Sequence, residues 1–325
     1  MRTLNLLLLA SLILLTNLSP FQEPPELAEA ATLTTSVLKL YDAEKYDEAL
    51  PMAKRALQIR EKLLPRTDQR VSDAWTNLAE IYIGKLDYEA ARKAFERVID
   101  LQEEAQGPDN PKLAPALDRL APLYFRTGNY SKAENSYKRA LAVREKSLGT
   151  DNVQVARSLF ALAEFYRVRR EFPLAVENYQ RALRLYKKLS ATKTPEFVRT
   201  REGFSCLSYA KPELAAEMKE VWKEFDDPDQ SVPEPGTVLN GRALSLPKPA
   251  YPVAARQLRL AGQVVVLVQI DETGNVISAR DMCQGPLYLS ESSVAAAQNA
   301  RFSPTKLSGM PVKVNGIIVY NFVAR

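Results

Sequence analysis

The chain has 325 residues, 46% of them apolar and 26% charged, a composition that excludes wholesale disorder and leaves room for about two domains. It contains no histidine and only two cysteines, Cys206 and Cys283, which excludes Ser-His-Asp and Cys-His catalysis, His-ligated metal sites and a framework of several disulfides. The net charge is +5, and nine Lys/Arg against four Asp/Glu from Gly241 onward put the whole surplus at the C-terminal end. That surplus suits an acidic peptide or an anionic membrane surface, and equally an ordinary solvated face. No Gly-rich phosphate loop, paired acid and base or basic–aromatic run appears, so the expectation is a non-enzymatic chain without cofactor, metal or nucleic-acid ligand. One bridge between the two cysteines is compatible with the sequence, but their wide separation makes two buried free thiols the simpler expectation.

The chain opens with Met1-Arg2 and an uncharged, Leu-dominated run from Leu4 to Leu18. This has the form of a signal-peptide core after a short basic segment, within residues 1–20. It is short for a membrane span of about 20 residues, although an uncleaved inner-membrane anchor remains the alternative. Either reading places the rest of the chain outside the cytoplasm. No cysteine follows the run, so a lipoprotein anchor is excluded.

Within residues 29–225, landmarks recur every 42 positions, a step typical of helical repeats. Tyr82, Tyr124 and Tyr166 align, as do Tyr46, Tyr88, Tyr130 and Phe172. Ala49, Ala91, Ala133 and Ala175 follow the same step, and so do Ala56, Val98, Ala140 and Ala182. Each unit reads as two helices. The first carries Trp75-x-x-Leu78-Ala79-x-x-Tyr82 and its counterparts from Leu117 and Leu159, spaced to share one face. The linkers Gly107-Pro108-Asp109-Asn110 and Gly149-Thr150-Asp151-Asn152 supply a helix-ending glycine and a helix-starting Asp or Asn. Four such units are expected, with a degenerate fifth at Pro195–Glu224 capping the array. Pro122, inside a first helix, should kink or loosen it.

Residues 226–246, with Asp226-Asp227-Pro228-Asp229 and Val232-Pro233-Glu234-Pro235-Gly236, read as a linker. A second domain follows over residues 247–325. Val264–Ile270 suits a strand, Asp271–Asn275 a turn with Gly274 at positive φ, and Val276–Met282 a returning strand. Ser290 caps a short helix that runs to Ala300, Pro304 stops that region, and Val312–Val323 is a last strand with Ile318, Tyr320 and Phe322 on one face. That last strand is expected at a sheet edge, where another chain can pair with it.

The repeats resemble the tetratricopeptide repeat in the long-linker form of kinesin light chains. The resemblance implies a concave groove that binds protein partners, lined here by Asp73, Thr76, Asn77, Glu80, Asp118, Arg119, Arg126, Phe160, Glu164 and Arg167. The last domain resembles the C-terminal domain of TonB, through Tyr251-Pro252, Gln257-Leu258-Arg259-Leu260-Ala261-Gly262-Gln263-Val264, the Asp271…Gly274-Asn275-Val276 turn and Arg301-Phe302-Ser303-Pro304. That family energises outer-membrane transporters in Gram-negative bacteria, and its last strand accepts a short transporter peptide by β-addition. The resemblance implies a peptide edge at Tyr251, Pro252, Val314, Ile318, Val319, Tyr320, Asn321 and Phe322. The chain departs from TonB in having no histidine, no long Pro-rich spacer, and Ala300-Arg301-Phe302 where a Trp often precedes the last strand.

The expected fold is therefore multidomain, an all-α repeat solenoid followed by a small α+β TonB-type domain. The expected function is that of an exported adaptor that binds peptides by both surfaces. It would be periplasmic, soluble or anchored through residues 4–18, with TonB-dependent outer-membrane transporters as candidate partners. The alternatives are a membrane-anchored energy transducer and an envelope chaperone or assembly factor.

Overall fold

The computed structural model describes residues 23–225, 242–257, 261–283 and 287–323. The apolar run 4–18 and residues 226–241 of the expected linker lie outside the described residues. No helix among the described residues is long and apolar enough to cross a membrane. The chain divides into two compact units between Val143 and Arg144.

The first unit is helical: α1 Pro25–Asp42, α2 Tyr46–Leu63, α3 Gln69–Gly84, α4 Tyr88–Gln106, α5 Leu113–Arg126 and the first part of α6 Tyr130–Leu148. The 42-residue step marks the elements directly, because α2, α4 and α6 each start on their landmark tyrosine. Side-chain caps hold the starts of α3 and α4, where Asp68 accepts from the Arg70 amide (2.9 Å) and Asp87 from Ala90 (3.0 Å), and Asn110 accepts the Lys112 amide (3.0 Å) in the turn before α5. The turn inside each repeat passes through a left-handed residue, Glu44, Leu86 or Gly128. The following amide then bonds back to the preceding helix, Lys45 to Leu40 O and Asn129 to Tyr124 O, both at 2.8 Å. Ala49, Ala91 and Ala133 have no exposed surface, so small side chains sit where the helices approach most closely. Helix α5 runs through Pro122 to Arg126, so the proline does not end it. Leu117, Leu120, Ala121, Leu123 and Tyr124 are all buried around it, and several such side chains at about 1.5–3 kcal/mol each outweigh the roughly 3 kcal/mol cost of an internal proline.

The second unit continues the pattern with the end of α6, α7 Val153–Val168, α8 Phe172–Lys188, α9 Pro195–Ala210, a 3₁₀ turn at Pro212–Leu214 and α10 Ala215–Lys223. Asn152 caps α7 through the Gln154 amide (2.8 Å), and Arg170 takes the left-handed turn position. Ala175 and Ala182 are again fully buried. The α9–α10 pair closes the array over Tyr179, Tyr186, Phe204 and Trp222. Gly203 of α9 is required by proximity: a Cβ there would lie 2.6 Å from Glu164 Oε1 and 2.7 Å from Tyr179 Oη.

The C-terminal part of this unit holds β1 Ala243–Ser245, α11 Val253–Gln257, β2 Gly262–Ile270, β3 Val276–Asp281, α12 Leu287–Gln298, β4 Arg301–Phe302, β5 Lys306–Leu307, β6 Met310–Pro311 and β7 Val314–Phe322. The main sheet is antiparallel in the order β3-β2-β7, with Val266 opposite Ile318 and Val264 opposite Tyr320. The even-numbered side chains Val264, Val266, Val268, Ile270, Ile318, Tyr320 and Phe322 form a core with Leu289 and Ala297 of α12. Gly274 closes the β2–β3 turn at φ +90°, where a Cβ would lie 1.9 Å from the Phe302 carbonyl oxygen.

Three expectations are corrected. Strand β1 falls inside the stretch read as linker, because its backbone pairs with β4. Helix α12 starts at Leu287, so Ser290 lies within the helix and does not cap it. Cys206 and Cys283 are not free thiols but a disulfide, with Cα atoms 5.6 Å apart across 77 residues of sequence. Sequence separation misled because α9 packs on the opposite face of the sheet. There Cys206 and Tyr209 meet Val265, Leu267, Met282, Cys283, Ile317 and Val319. A small sheet with one helical layer has a marginal core, and covering its second face adds the burial it lacks.

Candidate functional site

The first candidate surface is the outer edge of β7. Val265 gives its carbonyl to the Met282 amide at 2.8 Å, on the β3 side of β2. In an antiparallel ladder the amide and carbonyl of one residue point the same way and alternate along the strand. The odd-numbered residues of β2 therefore bond towards β3 and the even-numbered ones towards β7. By register, Ile318, Tyr320 and Phe322 bond to β2, and the main-chain groups of Ile317, Val319 and Asn321 point away from it. Among the described residues β7 has β2 as its only strand partner.

The residues expected at this edge thus divide by role. Ile318, Tyr320 and Phe322 are buried under α12, and burial pushes the Tyr320 hydroxyl above its ordinary pKa. They position the strand but offer no side chain to a peptide. Val319 turns towards α9, with its amide outward. Asn321 is exposed, and its Oδ1 accepts from Gln263 Nε2 at 3.2 Å. Val314 starts the strand opposite Ile270. Tyr251, just before α11 with Pro252, lays its ring edge-on to Phe322 at 5.7 Å and carries the Arg256 guanidinium over it at 5.9 Å. The sequence reading brings Tyr251 and the end of β7 together, and so does the structure. The turn at the far end of the sheet is held by Asp271, whose carboxylate accepts the Asn275 amide (2.8 Å) and the Thr273 amide and hydroxyl. Those hydrogen bonds pull its pKa down to about 2.

The second candidate surface is the face of the first helix of each repeat. In the first unit Asp73, Thr76, Asn77 and Glu80 share one face of α3, with Asp118, Arg119 and Arg126 on α5. Glu80 pairs with Arg119 at 2.8 Å, Gln69 donates to Asp73 at 2.8 Å, and Arg126 stacks over Tyr88 at 4.7 Å. The face is thus polar and largely cross-linked within the unit. On the opposite side of α5, Tyr124 is pushed up to about 12 by burial and by its hydrogen bond to Glu96 (2.6 Å).

In the second unit Phe160, Glu164 and Arg167 line α7. Phe160 packs against Tyr179, and Glu164 accepts from both the Tyr179 hydroxyl and Arg167 (2.6 Å). Burial raises Tyr179 well above its ordinary pKa, with Glu164 adding to the effect. Arg167 also donates to the Cys283 carbonyl at 3.2 Å, so this residue is engaged by the C-terminal part of its own chain. The Glu202–Arg280 pair makes a second such link, with Arg280 Nη1 at 3.0 Å from a carboxylate that is 6% exposed. Sequence reasoning missed Glu202 and Arg280 and ranked the cysteine bridge below two free thiols, because no local pattern marks them.

The tetratricopeptide repeat family matches residues 40–69, 70–146 and 119–188, and the Gram-negative bacterial TonB protein C-terminal family matches residues 247–323. The chain is a tetratricopeptide-repeat protein with a TonB C-terminal-type domain. Its fold is a helical repeat solenoid followed by that small strand-containing domain. Among solved structures, a Podosopora anserina protein with nearly identical TPR-like repeats, classed with kinesin light chains, is similar at 17% identity and a TM-score of 0.52, over 60% of this chain and 92% of that one. BtubC (BKLC) from P. vanneervenii is similar at 15% identity and a TM-score of 0.51, over 64% of this chain and 85% of that one. At these identities the likeness is one of fold. No curated protein matches the chain. Repeats and TonB-type domain together indicate a protein-interaction role, and the β7 edge gives the TonB-type domain a geometry suited to it.

Proposed function

We propose that this protein is an exported adaptor of a Gram-negative-type envelope, in which the repeats hold one protein partner while β7 takes an extended peptide from another, in support of transport across that envelope. The observation that carries the reading is the β7 edge, with the main-chain groups of Ile317, Val319 and Asn321 directed away from β2. The Cys206–Cys283 bridge supports the compartment, since structural disulfides persist where the surroundings are oxidising. TonB-dependent outer-membrane transporters are the proposed source of the peptide.

The test is peptide binding by the full chain, using extended peptides from the periplasmic ends of such transporters. Val319→Pro removes one outward amide while the β2-facing bonds of Ile318 and Tyr320 stay, so binding should fall below detection with the fold retained. Unchanged binding in that variant would remove the edge from the proposal. A second reading, a membrane-anchored energy transducer, is favoured by the uncharged Leu4–Leu18 run. Intact mass of the protein from membrane and soluble fractions separates the two: a chain that retains Met1 in the inner membrane supports the transducer, and a soluble chain starting after the run supports the adaptor.

A further inference from the structure

A ladder of ion pairs joins the second helices of successive repeats, and it is broken at one rung. Glu103 of α4 pairs with Arg139 of α6, and Glu145 of α6 pairs with Arg181 of α8 at 3.1 Å. Both pairs sit at the same repeat positions, 42 residues apart. One step earlier the same positions hold Glu61 of α2 and Arg97 of α4. That pair does not form. Glu61 instead accepts a hydrogen bond from the Trp75 indole at 3.0 Å. The counterparts of Trp75 are Leu117 and Leu159, which have no donor to divert a carboxylate. Arg97 is half-buried and has no ion-pair or hydrogen-bond partner among the described residues.

A cleft of about 600 Å³ opens at this rung, between α2 and α4, floored by Trp75, Leu78 and Tyr82 and rimmed by Lys54, Lys93 and Arg97. At 100° per residue, Trp75, Leu78 and Tyr82 lie on the side of α3 opposite Asp73, Asn77 and Glu80. The cleft is therefore a different surface from the groove face. Its floor is aromatic and apolar, and its lining carries three cations against the single carboxylate of Glu61, which the Trp75 indole holds; Lys93 has only a loose contact with Glu89 (3.8 Å).

We infer that this cleft is a docking site for an acidic peptide segment of a partner protein, in which a bulky apolar side chain rests on Trp75 and a neighbouring carboxylate takes the place beside Arg97 that Glu61 leaves empty. The charge complementarity is specific to this rung, because the next two rungs fill their arginine from within the chain. Aromatic floors with an arginine at the rim are also where interface energy concentrates.

The experiment uses the full chain and two synthetic peptides, one with a Phe flanked by glutamates and the other with those glutamates replaced by glutamine. Calorimetry measures affinity. In a Trp222→Phe background Trp75 is the sole indole of the chain, and its emission reports occupancy of this cleft. The acidic peptide should bind and shift the emission, and the glutamine peptide should bind at least about tenfold more weakly. Arg97→Gln should weaken the acidic peptide by a similar factor. Trp75→Leu installs the residue used at 117 and 159, frees Glu61 to close on Arg97, and should abolish binding without lowering the melting temperature. Equal binding of the two peptides, undiminished binding in Arg97→Gln and Trp75→Leu, or no heat and no emission change up to about 1 mM peptide would each overturn the assignment.

Discussion

In the repeat array Ala49, Ala91, Ala133 and Ala175 occupy one position four times over, and all four are fully buried. In the TonB-type domain no position has a counterpart. Its sheet is sealed by one helix on one face and, on the other, by Cys206 and Tyr209 of α9. The array gains stability by repeating one modest contact between neighbours, so that damage at one rung leaves the others intact. The TonB-type domain depends on a few long-range contacts that each occur once. A single substitution should therefore do most harm at the bridge, less inside one repeat, and least at a repeat turn.

The largest effect is expected at the bridge. Cys206→Ser opens a loop of 77 residues of sequence and should destabilise the unit from Arg144 onward by about 2–4 kcal/mol. Urea unfolding of the wild type with and without reductant checks the origin of the loss. Reduction should lower the wild-type midpoint to that of the variant and leave the variant unchanged. Coincident midpoints for oxidised wild type and variant would mean that the narrow packing of Val265, Met282 and Tyr209 holds the contact without the bridge.

A smaller effect is expected within one repeat. Ala133 is fully buried at the closest approach of its helix pair, and Leu there adds three carbons to a filled site. Ala133→Leu should cost about 1–3 kcal/mol. Hydrogen exchange should show the loss confined to the repeats that adjoin α6. Exchange that rises equally in every helix would contradict the nearest-neighbour picture of the array.

The same contrast explains what was legible in the sequence. The helices of the array could be placed because each landmark is stated three or four times, and Tyr46, Tyr88, Tyr130 and Phe172 fall on the first residues of their helices. In the C-terminal domain β2, β3 and β7 were legible from alternation and from the Asp271–Asn275 turn, and the β7 edge followed from strand order. The partner of the sheet's second face was not. Cys206 and Cys283, or Glu202 and Arg280, carry no spacing rule that links them, because α9 meets the sheet only in three dimensions. Of the residues read as lining the groove, Arg167 donates to the Cys283 carbonyl, a bond that depends on that same unreadable contact. The broken rung at Glu61 and Arg97 lies between these cases. The periodic alignment contains it, yet only the Trp75 hydrogen bond shows that the carboxylate is diverted.

The smallest effect belongs to the turn inside the second repeat. Leu86 sits at φ +61° and is 69% exposed, so its side chain contributes little packing while its Cβ opposes the left-handed backbone. The next repeat places Gly128 there at φ +78°. A left-handed non-glycine residue costs about 1–2 kcal/mol, and glycine returns about 0.5–1 kcal/mol of that through its greater freedom in the unfolded chain. Leu86→Gly should therefore stabilise the first unit by a net ~0.5 kcal/mol, and Gly128→Leu should destabilise it by a similar amount. The pair is informative because the two substitutions exchange the residues of equivalent turns. Opposite shifts in the urea midpoint would show that the turns are energetically interchangeable. Shifts of the same sign would mean that each turn is fitted to its own repeat, and that the redundancy of the array stops at its helices.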